Sequence, residues 1–345
     1  ETRANALHNH AIVLRRDNRL DEAERLHREA LALRSTGPEP TAERLHSQAA
    51  LVSVLASQRR FDEARTLALA VLHGRTELFG PLHPDVAGAH VNLGWLANEM
   101  GSPEAAVKHY RAAIEAWRLS HRTVHPDVAV ARANLGAALV ETEDFEGGIA
   151  QTRLALDIYR EILGPEHPSY AKTLGNLAYA HMRSGQLEQA QREFEQALQI
   201  EHCDEEGAHP RCAVYSSNLA TTEAGLDNDD AALEHWQRAL EILEATPSKP
   251  GSKVKPLTVM GRFLISRGRA DEAVPLLQRA VQLSEGVLPR LRAAAQLELA
   301  RAHFANGDRE AARAPALAAV RDWTEAGKRH EDQRKQAQAL VERLG

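Results

Sequence analysis

The sequence predicts an all-α protein built as a linear array of helix pairs, an α-solenoid, and three observations carry that reading. His-Pro pairs stand at His83-Pro84, His125-Pro126, His167-Pro168 and His209-Pro210, 42 residues apart each time. Asparagines followed by leucine keep the same step at Asn92, Asn134, Asn176 and Asn218, and small residues keep it at Ala106, Gly148, Ala190 and Ala232. Ladders in one register are the signature of a repeating supersecondary unit. Composition agrees: 43% of residues are hydrophobic but only 4% aromatic, with Ala and Leu dominant, which suits close-packed helices better than strands.

Extending the small-residue ladder outward reaches Ala23 and Ala64 on one side and Ala273 and Ala312 on the other. Eight repeats follow, at about 3–34, 41–78, 83–120, 125–162, 167–203, 209–245, 253–285 and 287–327, in one array over 1–345. Residues 328–344, rich in Lys, Arg, Glu and Gln, read as a capping helix covering the apolar face of the last repeat.

The fifth repeat shows the internal plan. Ser169 to Ser184 has apolar residues at Leu174, Leu177, Ala178 and Met182 in helical spacing (helix A). Gly185-Gln186 makes a turn, and Leu187 to Glu201 forms helix B. The small residue at Ala190 lets the two helices approach. In the connector Leu163-Gly164-Pro165-Glu166-His167-Pro168, glycine can end helix B with a positive φ. The second proline suits the first turn of the next helix A, where no N–H is needed. Phe79-Gly80-Pro81-Leu82-His83-Pro84 repeats the pattern. The outer repeats degrade. Ser35-Thr36-Gly37-Pro38-Glu39-Pro40 reads as a linker, Pro247 to Lys253 as a loop, and Val259 and Glu298 replace the ladder asparagine in repeats seven and eight.

The net charge of -6 lacks the dense basic stripe of a nucleic-acid binder. Residues 186–245 hold 14 acidic and 3 basic side chains, whereas 246–345 hold 18 basic and 11 acidic. These charges read as a solvated surface, with salt-sensitive self-association through oppositely charged regions as the alternative. No apolar run reaches the ~18 residues of a membrane span, and no signal peptide is visible, so a cytoplasmic location is expected. The chain opens at Glu1-Thr2 without methionine, as expected of a piece of a longer protein.

At this point the residues resemble a known family. Leu174-Gly175-Asn176-Leu177-Ala178-Tyr179, Gly185, Glu188-Gln189-Ala190 and Ala197-Leu198 resemble the tetratricopeptide (TPR) consensus. The 42-residue period and the Gly-Pro-x-His-Pro connector resemble the kinesin-light-chain type, and similar arrays occur in bacterial signalling proteins. The resemblance implies a right-handed superhelix with helices A lining a concave groove that binds extended peptides, and it implies that the matching asparagines hold the peptide main chain.

The residues support that reading independently. Asn is a mediocre helix-interior residue, so four at one repeat position need a reason. An amide offers donors and an acceptor, and so grips backbone without reading sequence; hydrogen bonding between adjacent repeats is the alternative. The groove candidates are Asn92, Asn134, Asn176 and Asn218 with Val91, Trp95, Glu99, Lys172, Tyr179, Arg183 and Thr221, accompanied by Ala133, Ala137, Glu141, Ser217 and Ala224. Trp95 and Tyr179 are natural anchors, with packing of Trp95 between repeats as the alternative; Lys172 and Arg183 would suit an acidic ligand or a C-terminal carboxylate, with plain solvated charges as the alternative.

His202, Cys203, His209 and Cys212 have the atoms of a zinc site, but not a common finger spacing. Two free thiols are the expectation, with a Cys203–Cys212 bridge in an oxidising compartment as the alternative. The 17 histidines have no partnered nucleophile, and no phosphate loop, HExxH or GxSxG occurs. No catalysis, cofactor or metal is therefore expected. A protein or peptide partner is, either separate or another domain of the same polypeptide, with no nucleic acid or membrane. Two functions remain: an interaction scaffold, or the regulatory segment of a larger signalling enzyme (kinase, ATPase or protease) acting by intramolecular binding.

Overall fold

A computed structural model describes residues 2–34, 41–120, 122–205, 208–246, 248, 250–327 and 330–345. The linker expected over Ser35 to Pro40, together with Pro247, Lys249 and residues 328–329 at the start of the capping segment, lies outside the described residues.

Among the described residues the structure is all-helical, with no strand. The helices are α1 (Thr2–Arg16), α2 (Leu20–Arg34), α3 (Ala42–Ser57), α4 (Phe61–Phe79), α5 (Pro84–Glu99), α6 (Pro103–Leu119), α7 (Pro126–Glu141), α8 (Phe145–Leu163) and α9 (Pro168–Arg183). They continue as α10 (Leu187–Ile200), α11 (Pro210–Gly225), α12 (Asp229–Ala245), α13 (Val254–Ser266), α14 (Ala270–Leu283), α15 (Pro289–Ala305), α16 (Arg309–Ala326) and α17 (Glu331–Leu344). The chain divides into two compact units, Glu1–Ser184 and Gly185–Gly345. In the first, α1 packs on α2, α3 on α4, α5 on α6 and α7 on α8, while α5 also touches α7 and α7 touches α9. In the second, α11 packs on α12, α13 on α14 and α15 on α16, and α17 closes on α16. That last contact buries Ala337 and Leu340 of α17 against Trp323, the role expected of a cap.

The small-residue ladder is the axis of each pair. Ala23, Ala64, Ala106, Ala232, Ala273 and Ala312 are fully buried. One turn later on helix B a larger residue fills space left open by helix A. Tyr110 lies where a Cβ on Gly94 would come within 2.7 Å of its ring. Leu277 lies against Gly261, and Thr152 against Gly136. Trp236, one turn after Ala232, packs in a cluster with Ala220 and Phe263. In repeat one this slot holds His27, which is 1% exposed.

Local chemistry sets the helix ends. Each ladder histidine caps the helix A that follows: Nδ1 of His83, His125, His167 and His209 accepts the backbone N–H of Asp85, Asp127, Ser169 and Arg211 at 3.1–3.2 Å. The imidazole thus does the work usually given to Ser, Thr, Asn or Asp, worth about 1 kcal/mol, and the proline that follows is the first helical residue. Between the helices of each repeat stands one left-handed residue: Asn18, Arg59, Gly101, Glu143, Gly185, Asp227, Gly268 and Gly307. Gly80 has positive φ, as expected, but an extended ψ of 161°, because the proline after it excludes the helical region.

The expectation of two free thiols is corrected: Cys203 and Cys212 are bridged, with their Cα atoms 5.5 Å apart. α10 ends at Ile200, five residues before the position matching the end of α8 at Leu163. The chain then turns through His202 at positive φ and brings Cys203 to Cys212. Cys212 occupies the first buried position of helix A, held by Val86, Val128 and Tyr170 in the preceding repeats. Closing a loop this short is worth about 2–3 kcal/mol. The Cys203→Ser/Cys212→Ser variant, and the wild type in reductant, are therefore expected to melt earlier by circular dichroism. An unchanged melting curve in both would show that the helices alone hold this connector.

Candidate functional site

Helices α5, α7 and α9 bring the same three rows of side chains to one face of the first unit. The ladder asparagines Asn92, Asn134 and Asn176 are half-buried. The leucine after each, Leu93, Leu135 and Leu177, is buried in the core, which turns the amide away from it. Among the described residues, none of these three side-chain amides forms a hydrogen bond, and none is sealed from solvent. The amide of Asn218, half-buried on α11 of the second unit, is likewise without a partner there.

The residues around the amides divide by position. Val91, one before Asn92, packs against the cluster of Tyr110, Leu135 and Leu139, and Ala133 is buried; this row joins repeats. Three residues after the asparagines stand Trp95, Ala137 and Tyr179. Trp95 is 39% exposed, whereas Trp117, Trp236 and Trp323 are at most 7% exposed. Seven residues after stand Glu99, Glu141 and Arg183, all exposed.

Arg183 links two repeats. Its Nη1 donates to the Tyr179 hydroxyl at 3.0 Å and lies 3.8 Å from the Glu141 carboxylate. The guanidinium also lies over the rings of Tyr179 and Phe145, 5.8 and 5.9 Å from their centroids. The Tyr179 hydrogen bond and the Glu141 and Glu143 charges raise its pKa against the opposing effect of burial. Its charge is largely spent within the protein. Lys172, by contrast, is exposed on α9 and makes no ion pair among the described residues.

The sequence reading missed a further row. Val130 and Val214, 39% and 55% exposed, stand four residues before Asn134 and Asn218, where Lys172 stands before Asn176. The same 42-residue spacing could have found them. In the second unit Thr221 is half-buried on α11, its hydroxyl committed to the Ser217 carbonyl at 3.0 Å. Where repeat eight loses the asparagine, Glu298 is 2% exposed and held by Arg262 Nε at 2.7 Å and Arg301 Nη1 at 3.0 Å, so it is a satisfied buried carboxylate.

Two further features bear on function among the described residues. No group of three or more His, Cys, Asp or Glu side chains could hold a metal ion, the two cysteines being consumed by their bridge. No helix is long and apolar enough to cross a membrane.

Comparison with known proteins gives one consistent result. Tetratricopeptide-repeat models match residues 3–36, 41–118 and 127–201, 92–161 and 264–323. Among solved structures, the nearly identical TPR-like repeats of a kinesin light chain homologue from Podosopora anserina align at 21% identity with a TM-score of 0.51, over 58% of this chain and 96% of that one. BtubC (BKLC) from P. vanneervenii aligns at 20% identity and TM-score 0.53, over 70% and 92%. A Rap protein complexed with Competence and Sporulation Factor aligns at 14% identity and TM-score 0.63, over 100% and 97%. No curated protein matches the chain.

Proposed function

The chain belongs to the tetratricopeptide-repeat family, and from that premise we propose that it is a protein-interaction scaffold whose α5–α7–α9 face binds an extended peptide. One observation carries the reading: Asn92, Asn134 and Asn176 present side-chain amides at one repeat position on neighbouring helices, open to solvent and without hydrogen bonds among the described residues. A peptide main chain supplies the complementary donors and acceptors at regular intervals. Each such bond is worth about 0.5–1.5 kcal/mol net, so the row gives grip without side-chain specificity. Specificity falls to the flanking row, where Trp95 and the Tyr179–Arg183 pair offer aromatic surface of the kind that dominates binding energy, and to Lys172, whose free ammonium favours an acidic residue. Because the helices are held by buried small-residue contacts, the face is preformed, and little ordering cost is incurred on binding. The Rap complex supports the reading at the level of the fold alone.

The test is selection of peptides from a display library on the wild-type protein, followed by titration against an Asn134→Ala/Asn176→Ala variant. Losing two backbone hydrogen bonds should weaken the selected peptides roughly 10–30-fold with melting unchanged. If the variant melts earlier and binding merely follows the folded fraction, the asparagines are structural and the binding face lies elsewhere.

A further inference from the structure

The connector before α13 departs from the others, and a cavity follows from the departure. Helices α5, α7, α9 and α11 each begin eight residues before the ladder position, at a proline. α13 begins only five before Val259, and a 3-10 helix, Pro250–Lys253, stands where its first turn would be. A cavity of about 410 Å³ opens there, among α11, the end of α12 and the start of α13. That is within the roughly 300–1,000 Å³ range of small-ligand pockets.

Its lining has two characters. Ala213, Val214, Leu243 and Pro256 make apolar walls, and Val214 is 55% exposed although it sits on a wall. Ser217, Asn218, Ser248, Ser252 and Lys255 supply polar groups, with the Ser248 hydroxyl donating to the Leu243 carbonyl at 2.6 Å. Among the described lining residues Lys255 is the one ionised side chain, and it makes no ion pair among the described residues. One ammonium among the described lining residues, set beside apolar walls, matches a single negative charge on an apolar body. The geometry points to a binding site for an apolar-tailed monocarboxylate, the tail against Val214 and Leu243 and the carboxylate accepting from Lys255, with Ser217 and Asn218 beside it. Two sources share that chemistry: a free carboxylic acid, and the C-terminal apolar residue of a peptide. The site stands apart from the α5–α7–α9 reading and does not depend on it.

Isothermal titration of the whole chain with octanoate, N-acetyl-leucine and N-acetyl-leucine amide tests the inference. At least one free acid should bind one-to-one with a Kd of about 1 mM or tighter, and the amide about tenfold more weakly than its acid. Lys255→Met should weaken the acid about tenfold and Val214→Glu should abolish it, both with unchanged melting because both positions are exposed. Octanoate binding alone supports the free-acid source, and N-acetyl-leucine binding alone supports the peptide-end source. The Asn134→Ala/Asn176→Ala variant should bind the acids as the wild type does, which separates this site from the peptide face. Absence of saturable binding by both acids, equal binding of acid and amide, or a Lys255→Met variant that binds normally overturns it.

Discussion

Gly136→Ala should lower the melting temperature of the first unit, Glu1–Ser184, by roughly 6–12 °C, from a loss of about 3 kcal/mol. A Cβ on Gly136 would lie 2.2 Å from the Thr152 hydroxyl, 2.9 Å from the Gly148 carbonyl oxygen and 3.3 Å from the Thr152 nitrogen. The hydroxyl can rotate away, although it gives up its hydrogen bond to the Gly148 carbonyl at 2.8 Å. The backbone atoms cannot move without separating α7 from α8. Gly148 faces the same crossing, with a Cβ there 3.0 Å from the Gly136 carbonyl oxygen. Thr152→Ala in the Gly136→Ala background should therefore restore only part of the loss. Full restoration would show that the hydroxyl alone sets the approach and that the backbones are not in close contact.

Acid should weaken the first unit through His27, and His27→Phe should remove that weakness. His27 is 1% exposed, and neither ring nitrogen has a hydrogen-bond partner among the described residues. Burial above all, then the charges of His8, Arg15, Arg34 and His46, depress its pKa from 6.5 to about 4. His8 is depressed as well, by burial first, then by His46 and Arg34; the two rings lie 5.1 Å apart. Because the folded pKa is the lower one, the unfolded chain binds protons that the folded chain refuses between about pH 6.5 and pH 4. The stability is therefore complete above pH 6.5 and falls as the pH drops through that window, by about 3 kcal/mol for His27. Thermal melts at pH 7 and pH 5 should show a smaller shift for His27→Phe than for the wild type. Phenylalanine is the apt replacement, since Tyr110, Phe194 and Trp236 fill the corresponding buried position in other repeats. Equal shifts would mean that His27 titrates freely and is not held neutral by the core.

The arithmetic of 42 made the helix pairs, their small-residue contacts and the asparagine row legible in the sequence, because spacing survives where residue identity varies. The histidine caps were not legible. His is not a customary cap, so His83, His125, His167 and His209 read as markers beside a proline; their function needed the position of Nδ1. The left-handed turn ladder was hidden for the opposite reason. Arg59, Glu143 and Asp227 hold a conformation that sequence reasoning looks for at glycine. The bridge between Cys203 and Cys212 depended on α10 stopping at Ile200, which tertiary packing decides. Within the candidate face, helical spacing put Tyr179 and Arg183 on one side of α9, where they are in contact, and Trp95 at the matching position of α5. It also nominated Val91, which packs between repeats, because adjacency in sequence is not adjacency on a helix face.

Trp95 allows the most direct test of the peptide face, being the one exposed tryptophan of the four. Acrylamide quenching of tryptophan fluorescence should report almost entirely on it, and a Trp95→Phe variant supplies the blank. Adding a library-selected peptide at saturation should protect Trp95, so that quenching falls in the wild type with no comparable change in Trp95→Phe. A peptide that binds the wild type tightly while Trp95 stays as open to acrylamide as before would contradict the assignment of the α5–α7–α9 face.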